Sequence, residues 1–584
     1  MRISMAPSSR TLALVIALAA LLAGSLVPAA GAQPTLGGQP VRPGEPAQPR
    51  DALTPRVLPA ASQPDPPPGY VVRARDALRT ADAQEKVRDA RAEHPGMRGE
   101  AYVPLYFKNA SPRWQVTYLD GEDQVAEVIV DGRTGAALET WDGPQVDWLI
   151  ARGYKPSMGR AVNEPWIWIA LSVLFVAPFF DPRRPFRLLH LDLLVLLSFG
   201  VSLALFNNGN LDASVPLVYP ALGYLLVRML VAGFRPRERR ERLVPLVPAA
   251  VLIAGVVLLA AFRIGLNVVD SEVIDVGYAG VVGADRISVG EELYVDNEVH
   301  GDAYGPFNYV AYYPFEQLLP WSGAWDDLPA AHGAALAFDL LTILGLFLLG
   351  RRLRPGREGR LLGLALAYAW TAYPFTAYVL GANTNDALVA MLMVYALLAF
   401  SSPPARGALL ALGAAAKFVP LALAPLFAAG TGDRRPRPIV VFAAVFAAIC
   451  ALTVVLYLPP GGPREFWDTT IGYQLGRESV FSPWGLWESL EPLQTILKAG
   501  AAALAIAVAF VPRRRTPVQV AALGAAVIIA LQLAAMHWFY FYLVWFAPFL
   551  LAALFGAHRS PGPPEVEPAV EGRAEESRLQ PATA

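Results

Sequence analysis

The chain has 584 residues, is 54% hydrophobic and only 17% charged, against roughly 25% charged for an average soluble domain. That balance belongs to a membrane protein. A formal net charge of -1 excludes bulk nucleic-acid binding. The single cysteine, Cys450, excludes a disulfide framework and a cysteine-based zinc site, and reads as a small core hydrophobe.

Arg2 and Arg10 precede the apolar run TLALVIALAALLAGSLV, which ends near Ala30-Gly31-Ala32. A basic start, a short apolar core and an A-x-A site predict a secretory signal over 1–32. Cleaved or retained as a signal anchor, it places the next segment of the chain outside the cytoplasm. Residues 33–69 are rich in Pro, Gln and Gly, too poor in apolar side chains to offset chain entropy, and predict a disordered linker.

Residues 70–150 have a soluble composition. The charged, Ala-rich stretch 70–93 predicts helix. YVPLYF, RWQVTYL and QVAEVIVD alternate with the period of strands, with turns at Asp120-Gly121 and Asp131-Gly132. The order W-Q-V-T-Y-x-D-G…V-x-E-V-x-V-D-x-x-T-G…W, from Trp114 to Trp141, resembles the PepSY-type small α/β module. That resemblance implies an extracytoplasmic, regulatory or inhibitory domain; a plain folded spacer is the other reading.

From Glu164 onward, apolar runs of roughly 17–24 residues recur, near the length that crosses a hydrocarbon core of ~30 Å. They predict eleven spans: 165–180, 190–206, 215–234, 243–262, 332–350, 361–380, 384–400, 438–458, 493–512, 517–535 and 538–556. The run 407–429 differs, because Lys417 and Pro420 interrupt its centre. A lysine at mid-membrane costs about 2.5–3.5 kcal/mol and a proline breaks the helix, so a re-entrant hairpin is expected. The basic loops DPRRPFR, RPRERRER, RRLRPGREGR, SSPPAR, TGDRRPRP and PRRRTP then share the cytoplasmic side, as the positive-inside rule favours. A full span at 407–429 would separate the last two. The polar tail 557–584 predicts a disordered cytoplasmic segment.

Two long outer loops, 263–331 and 459–492, hold the polar residues. The first is acidic and rich in Tyr, Trp and Gly; its cations are Arg263, Arg286 and His300. Carboxylates accept from hydroxyls and rings pack on C–H faces, so such loops suit a sugar. A solvated acidic loop beside an interfacial aromatic belt is the other reading.

The order Asp275-Val-Gly-Tyr278, Gly290-Glu-Glu-Leu-Tyr294, Tyr304-Gly-Pro-Phe-Asn-Tyr309 and Tyr313-Pro-Phe resembles the first outer loop of GT-C glycosyltransferases. It is nearest the bacterial polyprenyl-phosphate-mannose-dependent class, and the likeness covers about 243–556. The resemblance implies a mainly α, polytopic membrane helical bundle of GT-C type, behind a small extracytoplasmic α/β domain. The three extra spans and the PepSY-like domain depart from the family pattern.

The activity implied is hexosyl transfer, mannose for example, from a polyprenyl-phosphate donor to a cell-envelope glycan or glycolipid on the outer face of a bacterial plasma membrane. The donor is a substrate; no cofactor or metal is expected, and the partners are membrane lipids, donor and acceptor. Because phosphate leaves as a weakly basic anion, one carboxylate suffices as general base for an inverting displacement. Asp275 takes that role by its match to the Asp-before-Tyr position, ahead of Asp270, Asp285 and Asp302. Substrate contacts are expected from Tyr278, Tyr294, Asp302, Tyr304, Tyr309, Asn385, Asp386, Lys417, Arg477 and His537. Arg477 suits the lipid phosphate, and Lys417 a buried carboxylate or the phosphate. Asn385 and Asp386 read as second-layer hydrogen-bonders or helix caps, and His332 as a boundary histidine. No His/Asp cluster shows metal-ligand spacing; the pairs Glu291-Glu292 and Asp326-Asp327 could hold a divalent ion, but adjacent carboxylates are common in loops. A flippase or transporter of lipid-linked sugars, and an anchor displaying the PepSY-like domain, are the competing functions.

Overall fold

Residues 56–57, 66–103, 112–121, 123–153, 158–294, 303–323, 327–432, 436–477 and 479–560 are described by the structure, a computed structural model. The expected signal segment, most of the linker, nearly all of the tail, His300 and Asp302 lie outside these residues.

The small domain is a five-stranded antiparallel meander in chain order: β1 (Arg56–Val57), β2 (Arg98–Val103), β3 (Arg113–Asp120), β4 (Asp123–Asp131) and β5 (Ala137–Asp142). Alternation decides its faces. Trp114, Val116 and Tyr118 of β3 and Ala126, Val128 and Val130 of β4 point one way, onto Ala74, Ala77, Ala81, Val87 and Ala90. Those residues belong to two helices, Ala74–Asp82 and Glu85–Glu93, where the composition suggested one. Glu127 faces the other way and is nevertheless buried.

Among the described residues, seven helices are long and apolar enough to cross a membrane: Leu188–Asn207, Leu211–Phe234, Ala249–Val269, Pro329–Leu353, Pro436–Leu456, Glu491–Phe510 and Pro517–Ala534. Shorter apolar helices at 165–179, 386–398 and 540–556, and the pair Gly356–Ala372 and Pro374–Gly381, occupy the remaining expected spans. The chain is a multi-pass membrane protein. Pro517–Ala534 lies at the centre with 83% of its apolar window buried, whereas Pro436–Leu456 buries only 6%, so its side chains are left for lipid.

The 407–429 run doubles back. Helix Pro403–Ala416 ends at Lys417, and the chain returns through Val419–Leu423 and Ala424–Ala429. Arg406, near the start, donates to Phe400 O and to Ala428 O near the return. Both ends of the hairpin therefore share one side, and its tip stands about 20 Å away at 1.5 Å per residue. A chain of contacts joins the basic loops at that end. Arg187 meets Glu241, Arg239 bonds the 557–559 segment, Arg354 donates to Gly556 O and Arg352 to Ser401, and Gly432 abuts Arg513. A full span would have torn this chain between Arg406 and Gly432.

Two expected boundaries move. The fourth span runs to Val269, so Arg263 sits inside a helix and not in the following loop. There it donates to Asp339 Oδ1 at 2.6 Å and to Trp370 O and Thr371 O at 3.1 Å. Pro374 has no N–H to offer Trp370 O four residues back, and Arg263 supplies the missing donor. The expected long loop after 262 instead carries two helices, Asp275–Val289 and Pro306–Leu318.

Candidate functional site

The hairpin tip carries Lys417 to the end of the bundle opposite the arginine-rich loops. Its Nζ lies 2.5 Å from Asp386 Oδ1, the first residue of helix Asp386–Leu398. Trp545 Nε1 donates to the same oxygen at 2.9 Å. Three rings surround the ammonium, with centroids at 5.5 Å (Tyr304), 5.9 Å (Tyr542) and 5.2 Å (Trp545). Tyr542 and Trp545 stack at 4.0 Å. The side chain of Lys417 is 11% exposed and that of Asp386 1%. Pairing and cation–π contact are what make a charge tolerable there.

Tyr304 reaches this cluster because the backbone beside it touches the hairpin. A Cβ on Gly305 would stand 2.1 Å from Ala415 O, so only glycine permits the approach. Tyr294 donates to Tyr304 O at 2.9 Å and props the turn. Burial, then the charge of Asp275, pushes the Tyr304 phenol well above its ordinary value, with Arg477 acting the other way; it stays a neutral hydroxyl. Asp386 acts on Tyr304 as well, and all three charges act on Tyr542. Asp275 is exposed and opens helix Asp275–Val289. Arg477 is half-buried at the exit of the short helix Tyr473–Gly476, and among the described residues no carboxylate lies within ion-pair distance of it.

His537 closes one wall. Its Nδ1 is 2.9 Å from Ser479 Oγ, and its ring faces Tyr542 at 6.2 Å and Phe481 at 5.5 Å. Burial, then the positive charges of Arg477 and Lys417, hold its pKa well below the usual histidine range. The imidazole is neutral at pH 7.

A polar turn sets Asn385 and Asp386. Asn383 adopts a left-handed φ of 49°, which asparagine tolerates. Asn267 Nδ2 donates to its Oδ1 at 2.8 Å, and its own Nδ2 donates to Glu272 O at 2.7 Å. Asn385 Nδ2 then donates to Asn308 Oδ1 at 2.8 Å. Asn308 Nδ2, Tyr312 OH, Asn385 Oδ1 and Asp386 Oδ2 are buried and make no hydrogen bond among the described residues. Such atoms cost about 1–3 kcal/mol each unless a water or ligand serves them.

The structure thus gathers Tyr304, Asn385, Asp386, Lys417, Arg477 and His537, with Asp275 in electrostatic reach. It places the other expected residues elsewhere. Tyr278 is 5% exposed and packs edge-on against Trp321 at 5.8 Å. Tyr309 is fully buried beneath Gly283, and Tyr294 packs on Phe466. These three rings are scaffold around the Tyr304 turn. Asp270 is 3.7 Å from Arg160, and His332 Nδ1 is 3.2 Å from Ser271 Oγ. Tyr542, Trp545, Ser479 and Asn308 join the cluster without a sequence expectation behind them. The aromatic spacing in HWFYFYLVW is the only signal, and it reads as the start of a span. A cavity of about 880 Å³ lined by Thr431, Gly432, Arg513, Arg514, Arg515, Thr516 and Gln519 lies at the arginine-rich end, away from this cluster.

Residues 303–540 match the model of glycosyltransferase family 87. A solved structure of ArnT from Cupriavidus metallidurans bound to undecaprenyl phosphate is similar at 18% identity, covering 52% of this chain and 59% of that one, with a TM-score of 0.35. The chain thus spans less than two thirds of that protein. No curated protein matches the chain. The stretch that carries Tyr304, Asp386, Lys417, Arg477 and His537 is the one similar to glycosyltransferase family 87.

Proposed function

We propose that the protein is an integral-membrane glycosyltransferase that takes a hexose, mannose for example, from a polyprenyl-phosphate donor and gives it to a cell-envelope glycan or glycolipid. The reaction takes place on the outer face of a bacterial plasma membrane, the side reached by a secreted PepSY-like domain. One observation carries this reading. A hairpin tip lifts Lys417 into a ring-lined cluster that also holds Asp386 and Arg477, with an exposed carboxylate, Asp275, in reach, in the stretch similar to family 87.

The chemistry comes from the charges. Arg477, with no carboxylate partner among the described residues, and Lys417, with ammonium protons beyond the one on Asp386, face the developing charge of the departing lipid phosphate. Asp275 takes the proton from the acceptor hydroxyl as its oxygen bonds to the anomeric carbon. The bond from that carbon to the phosphate oxygen breaks, its electron pair leaves with polyprenyl phosphate, and the configuration inverts. Phosphate needs no protonation to leave, so no second carboxylate is required. Neutral Tyr304 and His537 offer hydrogen bonds to the sugar or phosphate.

The test is release of free polyprenyl phosphate by the purified protein in nanodiscs, given several polyprenyl-phosphate sugars and an envelope acceptor fraction. Asp275→Asn is run in parallel. Donor-specific release that falls by about 10²–10⁴-fold in the variant is expected. Asp275→Asn keeps the side chain's shape, and the unfolding midpoint of the variant checks that it folds. Release that survives the substitution moves the base to Asp270, Asp285 or Asp302. No release with any donor from folded protein overturns the reading and leaves transport or display.

A further inference from the structure

The small domain does not merely precede the membrane bundle; it touches the site wall. Its exit segment runs from Gln145 to Gly153. Gln145 Nε2 donates to Gly209 O at 2.8 Å, and Arg152 O packs against Gly209, so the segment is fixed to the turn after helix Leu188–Asn207. From the other side, Arg152 Nη1 donates to Glu127 Oε1 at 2.7 Å, with 11% and 6% of the side chains exposed. Glu127 Oε2 is held by Gln115 and Gln124 at 2.9 and 3.0 Å. Arg152 also donates to Gln145 O and Val146 O and lies over the Trp141 ring. An arginine only 11% exposed, each of whose three guanidinium nitrogens donates a hydrogen bond, thus bolts β4 to the exit segment. Between the two anchors stands Trp148, edge-on to Phe481 at 5.1 Å and 6.2 Å from the His537 ring.

We propose that Trp148 is a positioning residue for the membrane site: the small domain, through the Glu127–Arg152 bolt, presses this ring against Phe481 and His537 and so fixes the wall that faces Tyr542 and Lys417. The domain is then a working part of the site, and anything that loosens β4 from the exit segment loosens His537. Its effect on turnover rests on the transferase reading; its effect on His537 does not.

The experiment uses the full chain in nanodiscs with Trp148→Ala, Trp148→Phe and Glu127→Gln. The probe is diethyl pyrocarbonate, which modifies neutral imidazoles, with the extent at each histidine read by peptide mass spectrometry. His94, just past helix Glu85–Glu93 of the small domain and 40% exposed, is the internal reference. One edge-to-face ring contact converts to at least about a twofold change in opening. We expect His537 modification to rise by that factor or more in Trp148→Ala, to rise in Glu127→Gln, and to return to the parent rate in Trp148→Phe, with His94 unchanged throughout. In lipid-phosphate release, Trp148→Ala lowers kcat by about tenfold, as misplacement of a site wall does, leaves KM for the donor within about twofold, and Trp148→Phe restores it. Unchanged His537 modification in a folded Trp148→Ala protein overturns the proposal. If that variant does not fold, Trp148→Leu, which keeps apolar volume without the ring, takes its place with the same expectations. The expected modification pattern without any release from the parent protein keeps the wall and overturns the transferase reading instead.

Discussion

Lys417 and Asp386 stand 31 residues apart in the chain, yet their charged atoms meet at 2.5 Å in a nearly closed pocket. The hairpin is what brings them together, so the pair reports on whether it has formed. Removing one partner leaves a buried charge uncompensated. Lys417→Met and Asp386→Asn are each expected to cost about 3–5 kcal/mol, while Lys417→Met with Asp386→Leu recovers much of it. Thermal unfolding in detergent measures all three. Singles that differ from the parent by less than about 1 kcal/mol would show that the pair is solvated, as exposed pairs are.

Arg477 is a cation in the cluster without a carboxylate at ion-pair distance among the described residues. A charge held for a ligand costs the apo protein little to lose. Arg477→Gln should leave the unfolding midpoint within measurement error and raise KM for a polyprenyl-phosphate donor by about tenfold or more, the weight of one charge-assisted hydrogen bond. A large fall in stability with unchanged KM would make it structural.

Gly305 is the point where the Tyr304 turn meets the hairpin. A methyl group there must displace Ala415 O, a backbone atom 2.1 Å away. Gly305→Ala is expected to destabilise by about 1–3 kcal/mol and to reduce turnover as Tyr304 leaves Lys417. Gly500→Ala, in a lipid-facing helix with nothing within 4 Å of the new carbon, is the control and should be neutral or stabilising by up to about 1 kcal/mol. Equal behaviour of the two would refute the close approach.

At the arginine-rich end, His558 is 3% exposed and 3.2 Å from Glu241. Burial lowers its pKa from 6.5 to about 4, with Arg187 and Arg239 adding to the fall and Leu554 O and Glu241 opposing it. In the unfolded chain His558 binds a proton below about 6.5; in the folded protein it does so only near pH 4. The unfolded state therefore holds more protons through this window, and stability is full above pH 6.5 and lost as pH falls toward 4. Unfolding midpoints measured from about pH 7.5 to about pH 4.5 should fall, and His558→Gln should flatten the slope. An identical slope in the variant would assign the acid sensitivity elsewhere.

The limits of one-dimensional reading show at particular residues. Lys417 was legible because a charge and a proline in an apolar run violate the hydropathy that surrounds them. The apolar window ends at 262 and so leaves Arg263 in a loop, while the helix continues to Val269 on the strength of a partner, Asp339, and of carbonyls freed by Pro374. Motif order points to Tyr278 and Tyr309, but it does not tell a ring facing a cleft from one filling a core. Tyr542 and Trp545 were hidden because an aromatic at the start of a span has the same composition whether it anchors the interface or cages a cation. Trp148 was invisible, since its neighbours Phe481 and His537 come from the other end of the chain.

Hydropathy, proline and arginine placement are local or cumulative quantities. They determined from sequence alone that the chain crosses the membrane many times, that a small strand-rich domain precedes the bundle, and that 407–429 turns back to leave its basic loops on one side. Which carboxylate neutralises Lys417, which rings enclose it, and which domain holds His537 were decided only by the tertiary structure. Those are distances between segments far apart in the chain, and no periodicity encodes them.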